Sequence, residues 1–188
     1  VLAITGTNGK TTTTSLLGQI MKNYTENTYV VGNIGNPYTS VALETTEDSV
    51  IVAEMSSFQL ETIETFRPRV SAILNITPDH LNRHHTMEAY VAAKEAVASQ
   101  QTKADICVLN YDNDYTRDFA GRCPATPVLF SSHQELENGY FLRGDKIIKS
   151  VNGEEHELMD IHKDMNLVGL CNVENVMAAI AIAEGMQV

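Results

Sequence analysis

Seventeen residues at the start of the chain, VLAITGTNGKTTTTSLL, hold the densest chemistry in the sequence. An apolar run from Val1 to Ile4 gives way to Gly6-Thr7-Asn8-Gly9 and then to Lys10, Thr11 and Thr12 at the head of a helical pattern. Strand, glycine turn and helix in that order make an anion cradle. Glycines let the backbone approach a phosphate, the helix N-terminus aims unpaired N–H groups at it, Lys10 adds a cation, and Thr11 offers a hydroxyl to a magnesium ion. The general P-loop pattern places four residues between its first glycine and the Gly-Lys-Thr, whereas only two separate Gly6 from Gly9. The alternative is a glycine turn capping a helix, with Lys10 solvated.

Three further positions could join a phosphate in one site. Glu54 follows the apolar run Ser49–Ala53, and a carboxylate at a strand end suits a hard cation. His80 sits beside Asp79 after the next apolar run and can ligate a metal or carry a proton, or else cap a helix. His84 and His85 read as loop residues. Lys94 lies inside the apolar stripe Met87, Tyr90, Val91, Val97 and Ala98, so it must snorkel, pair with an acid, lose its charge or be modified. Carbamylation by carbon dioxide would turn it into an anionic oxygen ligand. Asn172 and Asn175, by spacing alone, read as caps of the last helix.

These residues need a scaffold that brings distant loops together. The pattern predicts strands at Val1–Ile4, Thr28–Val31, Ser49–Ala53, Val70–Ile76 and Asp105–Asn110, and helices at Thr11–Tyr24, Thr86–Gln101 and Val173–Glu184. The alternation implies an α/β fold, a P-loop-containing doubly wound sheet, mostly parallel, with ligands beyond the carboxyl ends of the strands. Turn signals at Gly144-Asp145 and Asn152-Gly153 predict a small antiparallel meander between Asn138 and Asp160, and Met165–Leu170 reads as one more strand.

With 188 residues the chain has the length of one domain. Thirteen basic against 24 acidic residues, a formal charge of −11, argue against a nucleic-acid partner. No apolar run is long enough to span a membrane and the N-terminus has no signal-peptide pattern, which implies no membrane insertion and a cytoplasmic protein; a monomer is expected. Three scattered cysteines form no CxxC pair and read as reduced thiols. A start inside a strand and a stop after a helix are what a domain within a longer chain would show.

GTNGKTT at Gly6–Thr12, GNIGNP at Gly32–Pro37, EMSSFQLE at Glu54–Glu61, NITPDHLNRH at Asn75–His84, YVAAK at Tyr90–Lys94 and GLCNVEN at Gly169–Asn175 together resemble the central ATP-binding domain of the Mur ligases, in order and over nearly the whole chain. The GNIG and SSFQLE segments are similar to the branch that joins D-glutamate to UDP-N-acetylmuramoyl-L-alanine in peptidoglycan synthesis, rather than to sister ligases or folylpolyglutamate synthetases. A nucleotide-binding module without ligase chemistry would give Lys94 no role. The resemblance implies an ATP-dependent amide-bond ligase working through an acyl phosphate, with N-terminal UDP-binding and C-terminal amino-acid-binding domains outside residues 1–188.

By motif, the resemblance gives Gly6, Thr7, Asn8, Gly9, Lys10, Thr11 and Thr12 to the phosphates, and Asn172 and Asn175 to the adenine. It gives Thr11 and Glu54 to a first magnesium, and His80 with carbamylated Lys94 to a second. Asn33, Ser56 and His80 fall to the muramoyl substrate, and Lys10, Lys94 and His80 to catalysis. Two positions depart from the family pattern: Cys171 stands where histidine is common, and Asn82 where aspartate is expected.

Overall fold

The computed structural model describes residues 1–187. The five runs expected as strands between Val1 and Asn110 all form: β1 (Leu2–Thr5), β2 (Thr28–Gly32), β3 (Val50–Glu54), β4 (Val70–Ile73) and β5 (Ile106–Asn110). With β6 (Thr126–Ser131), β7 (Gly139–Arg143), β8 (Lys146–Val151) and β9 (Glu154–Asp160) they make one sheet, ordered β2-β3-β1-β4-β5-β6-β7-β8-β9. Pairings from β2 to β7 are parallel; β7-β8 and β8-β9 are antiparallel, so the meander continues the main sheet.

Helices cover both faces. α1 (Lys10–Tyr24) and α7 (Leu170–Gly185) lie on one, where Leu17, Met21, Met177 and Ile182 pack over Leu2, Ile4, Val52 and Val70. On the other lie α2 (Ser57–Leu60), α4 (Met87–Glu95), which runs into a 3-10 turn at Ala96–Ala98, and α5 (Asp114–Ala120). There Leu60, Tyr90, Val97 and Phe119 pack over Ala3, Ile73 and Leu109. Leu2 and Ile4 face one layer while Ala3 faces the other, the two-residue period of a strand. Burial on both faces is why β1, β3 and β4 read as unbroken apolar runs. No helix among the described residues is long and apolar enough to cross a membrane. All three cysteines are free, Cys107 and Cys123 buried and Cys171 exposed.

Several boundaries differ from the expected ones, each for a local reason. β4 stops at Ile73 because the next residues turn to meet the glycine loop, Leu74 N–H donating to Thr5 O at 3.0 Å. Thr86 caps α4 rather than beginning it, its Oγ1 accepting from Ala89 N–H. The strand expected at Met165–Leu170 does not form. Asp160 ends β9 and caps the short α6 (Ile161–Asp164) instead, its carboxylate accepting from His162 and Lys163 N–H. The last helix starts at Leu170, behind Gly169 at φ 97°. Asn172 and Asn175 therefore lie inside α7 and do not cap it.

β2 ends under a tight constraint. Gly32 has φ 98°, and a Cβ there would lie 2.2 Å from the Glu54 carbonyl oxygen. Gly32→Ala is expected to destabilise the chain by about 1–3 kcal/mol, through the positive φ and the clash, measured as a lower urea midpoint. An unchanged midpoint would contradict this reading of the β2-β3 junction.

Candidate functional site

The loop from Gly6 to Gly9 joins β1 to α1 and is fastened from outside. Asn75, just beyond β4, accepts from Thr7 N–H through its carbonyl at 2.9 Å and from Asn8 N–H through Oδ1 at 2.8 Å. Its amide donates back to Asn8 O at 3.2 Å. Thr7 Oγ1 accepts from Thr77 N–H at 3.0 Å and lies 3.2 Å from the Tyr90 hydroxyl. Gly9 has φ 83°, and a Cβ there would meet Asn175 Oδ1 at 2.2 Å, so only glycine lets α7 come this close. α1 has no side-chain cap, which leaves its first N–H groups open to an anion.

Two lysines converge on this loop. Lys10 Nζ donates to Gly6 O and Thr7 O, both at 2.9 Å. Lys94 Nζ, from α4 across the site, donates to the same Gly6 O at 2.7 Å and lies 4.7 Å from the centre of the Tyr90 ring. Only 2% of Lys94 is exposed, so it does not snorkel. Burial, reinforced by the Lys10 ammonium and opposed by Asp79, lowers Lys94 from the usual 10.5 to about 7. Burial also lowers Lys10, against the attraction of Glu54 and Asp79.

Glu54, the last residue of β3, is fully buried. Its Oε1 accepts from Asn33 Nδ2 at 2.9 Å, while Oε2 has no hydrogen-bond partner among the described residues. A buried carboxylate oxygen without a donor is costly, and a cation relieves it. A carboxylate and a threonine hydroxyl are oxygen donors of the kind a hard divalent ion takes. His80 is half exposed in the left-handed region (φ 52°). Its backbone N–H donates to Asp79 Oδ1 at 2.8 Å, and its ring stands 5.1 Å from that of Phe58.

One cavity of about 240 Å³ is lined by Lys10, Asn33, Ser56, His80 and Lys94 together with Ser57, Phe58 and Tyr90. Five residues singled out from five separate segments thus share a wall. Thr11 and Thr12 open instead onto a shallower cavity with Ser15 and Leu167. Asn175 is buried behind Gly9, accepting from Thr13 Oγ1 at 3.2 Å and donating to Asn172 Oδ1 at 3.2 Å; Asn172 in turn donates to Val168 O at 2.7 Å.

Sequence reasoning missed Asn75 as the clamp of the loop, and gave Tyr90 only a packing role although its hydroxyl reaches Thr7. It also read His84 as a loop residue, whereas His84 is buried in α3 (Leu81–His84). Ser56 caps α2 in a capping box with Gln59, whose Ser-x-x-Gln spacing was legible.

Residues 4–183 match the Mur ligase middle domain. The UDP-N-acetylmuramoylalanine-D-glutamate ligase of Lachnoclostridium phytofermentans is 58% identical over all 188 residues, which span 41% of that protein. Its counterpart from Clostridioides difficile is 51% identical over 183 residues, 97% of this chain and 40% of its own. The chain thus spans about two fifths of the curated relatives it matches. Among solved structures, a UDP-N-acetylmuramoyl-L-alanyl-D-glutamate-2,6-diaminopimelate ligase superposes with a TM-score of 0.76 at 24% identity, over 100% of this chain and 43% of that one. The MurF ligase of Thermotoga maritima in complex with ADP gives 0.69 at 16%, over 99% and 45%. At these identities the two structures establish the shared fold.

The depressed Lys94 has a signature in stability. Between about pH 7 and 10 the unfolded chain holds a proton that folded Lys94 has released, so the stability of the wild type rises with pH through that window by up to about 1.4 kcal/mol per unit. Lys94→Met abolishes this dependence. Urea unfolding in metal-free, carbon-dioxide-free buffer should show any advantage of the variant at pH 7 shrinking toward pH 10. A difference that does not change with pH would contradict the assignment.

Proposed function

The chain belongs to the Mur ligase family, and from that membership and the geometry of its cavity we propose that it is the ATP-binding domain of a ligase joining D-glutamate to UDP-N-acetylmuramoyl-L-alanine. The observation that carries the reading is the convergence of Lys10 and Lys94 on the single Gly6 carbonyl, at the open N-terminus of α1. The Lys10 ammonium and the open N–H groups of α1 call for an anion, and a polyphosphate supplies one of sufficient charge. The identity of the named relatives supports D-glutamate as the amino acid.

The reaction has two displacements. The L-alanyl carboxylate attacks the γ-phosphorus of ATP, forming an acyl–oxygen–phosphorus bond as the bond to the β-phosphate oxygen breaks and ADP leaves. The amine of D-glutamate then attacks the acyl carbon, the C–N bond forms, phosphate departs, and the nitrogen gives up a proton. A carboxylate approaching a polyphosphate meets like charge, so the domain's task is neutralisation and alignment. Lys10 and the first N–H groups of α1 hold the β- and γ-phosphates, with Gly6, Thr7, Asn8 and Gly9 shaping the cradle. Asn33, Ser56 and His80 orient the muramoyl substrate from the opposite wall of the cavity. Asn172 and Asn175 lie toward the adenine.

Glu54 and Thr11 would hold one magnesium ion, and His80 with a carbamylated Lys94 a second. Magnesium, when bound, neutralises phosphate charge and aligns the attacking and leaving oxygens. The unpartnered Glu54 Oε2 supports the first position. Support for the carbamate comes from a lysine lowered to about 7, whose neutral amine adds carbon dioxide to give an N-carboxylate and a proton. With 13C-bicarbonate, a carbamate carbonyl signal is expected in the wild type and absent in Lys94→Met; the same signal in both would remove Lys94 from the second site.

In the whole enzyme, further domains would bind the UDP moiety and deliver D-glutamate. Acting alone, this domain is expected to bind ATP weakly in the presence of magnesium and to release no ADP on addition of D-glutamate. Calorimetry should show binding that Lys10→Ala abolishes and Glu54→Gln weakens about tenfold or more. Binding unaffected by Lys10→Ala, or D-glutamate-dependent ADP release by this chain, would refute the reading.

A further inference from the structure

A polar relay beneath the cavity floor has no part in the chemistry above. His84 is buried, and both of its ring nitrogens are engaged. Nε2 lies 2.9 Å from Ser57 Oγ, and Nδ1 lies 3.0 Å from Glu61 Oε1. The other oxygen of Glu61 accepts from Arg83 Nη2 at 2.7 Å. The Phe58 ring is stacked on His84, with centroids 5.6 Å apart and planes 7° from parallel, and touches His80 from its other side.

One of these bonds has a fixed direction. A carboxylate held by Arg83 offers acceptor oxygens, so Nδ1 of His84 carries the ring hydrogen and donates it to Glu61. Nε2 meets the Ser57 hydroxyl at 2.9 Å, which completes a continuous chain of bonds from Ser57 to Arg83. Ser57 lines the same cavity as Lys10, Lys94 and His80, so one end of this chain of bonds lies in the cavity wall.

The relay also spans the site. α2, with Ser57 and Phe58, follows β3 directly, and β3 ends at Glu54; α3, with Arg83 and His84, begins immediately after His80. Ser57–His84–Glu61–Arg83 is a direct polar connection between the two segments that carry the cation-binding candidates. A buried histidine needed only for packing would not have to place one end of its chain of bonds in the cavity wall.

We propose that His84 is a positioning residue: through Ser57 and Glu61 it sets the spacing between Glu54 and His80. This rests on the phosphate-and-cation reading of the site. Partners that hold ligands in place without touching the metal typically change its affinity by about 10–100-fold.

The test uses Mn2+ with ATP as a paramagnetic probe, together with long-range 1H–15N spectra of the histidine rings. The expected spectrum shows the His84 Nε2 resonance moving in Ser57→Ala. Mn2+·ATP affinity should fall about tenfold in Ser57→Ala and in His84→Phe, and recover to within about threefold of wild type in His84→Gln, which can still bond to Ser57. Should His84→Phe fail to fold, Ser57→Ala carries the measurement, since it deletes only a hydroxyl. An Nε2 resonance unmoved in Ser57→Ala, or wild-type affinity in that variant, overturns the proposal. Absence of Mn2+·ATP binding in the wild type is a different failure: it defeats the reading of the site on which the relay's positioning role depends, and the proposal falls with it.

Discussion

The carbonyl oxygen of Gly6 receives hydrogen bonds from two ammonium groups, Lys10 and Lys94, and the site is arranged around that crowding. Bonded to one oxygen, the two nitrogens lie within about 6 Å of each other, where like charges repel by about 3 kcal/mol at an effective dielectric near 20. Little nearby relieves this. Asp79 is half exposed, and Glu54 is committed on one side to Asn33. The repulsion and the desolvation of Lys94 push in the same direction, toward a neutral amine or a bound anion. Under the proposed function either outcome would serve: the first would make Lys94 a nucleophile for carbon dioxide, and the second would draw in a polyphosphate.

Holding the two lysines together takes most of the fold. Lys10 is tied to β1 through the glycine loop, and Lys94 rides on α4, whose Tyr90 anchors it against Ile73 and Val97 in the core. The clamp by Asn75 ties the loop to the end of β4, so the loop and the far wall of the cavity keep one spacing. Glu54 and His80 reach the same place because the sheet is parallel and the chain leaves each strand at the same edge. Gly32 and Gly9 permit the two closest approaches, of β2 to the Glu54 backbone and of α7 to the glycine loop.

Much of this was legible in the residues. The five buried strands, the helix after the glycine loop and the anomaly of Lys94 all follow from periodicity, because a charged residue within an apolar stripe has few places to go. The resemblance to the Mur ligases rested on six spaced motifs and agrees with the family match. Tertiary relations were not legible. Asn75 is an ordinary polar residue after a strand until β4 is known to lie beside β1. His84 looked like a loop residue because its partners, Ser57 and Glu61, are more than twenty positions away. The segment Met165–Leu170 has strand-like residues, yet Asp160 ends the ladder by capping a turn of helix, which no propensity for β structure could reveal.

The most direct measurement of the central claim is the titration of Lys94 itself, followed through the 13C shift of its ε-carbon with and without ATP and magnesium, in carbon-dioxide-free buffer. The account predicts a midpoint near 7 in the free chain. It predicts a clear rise when the polyphosphate enters, since the anion stabilises the ammonium and offsets Lys10. A midpoint in the ordinary lysine range in the free chain, or one that ATP leaves unmoved, would contradict it.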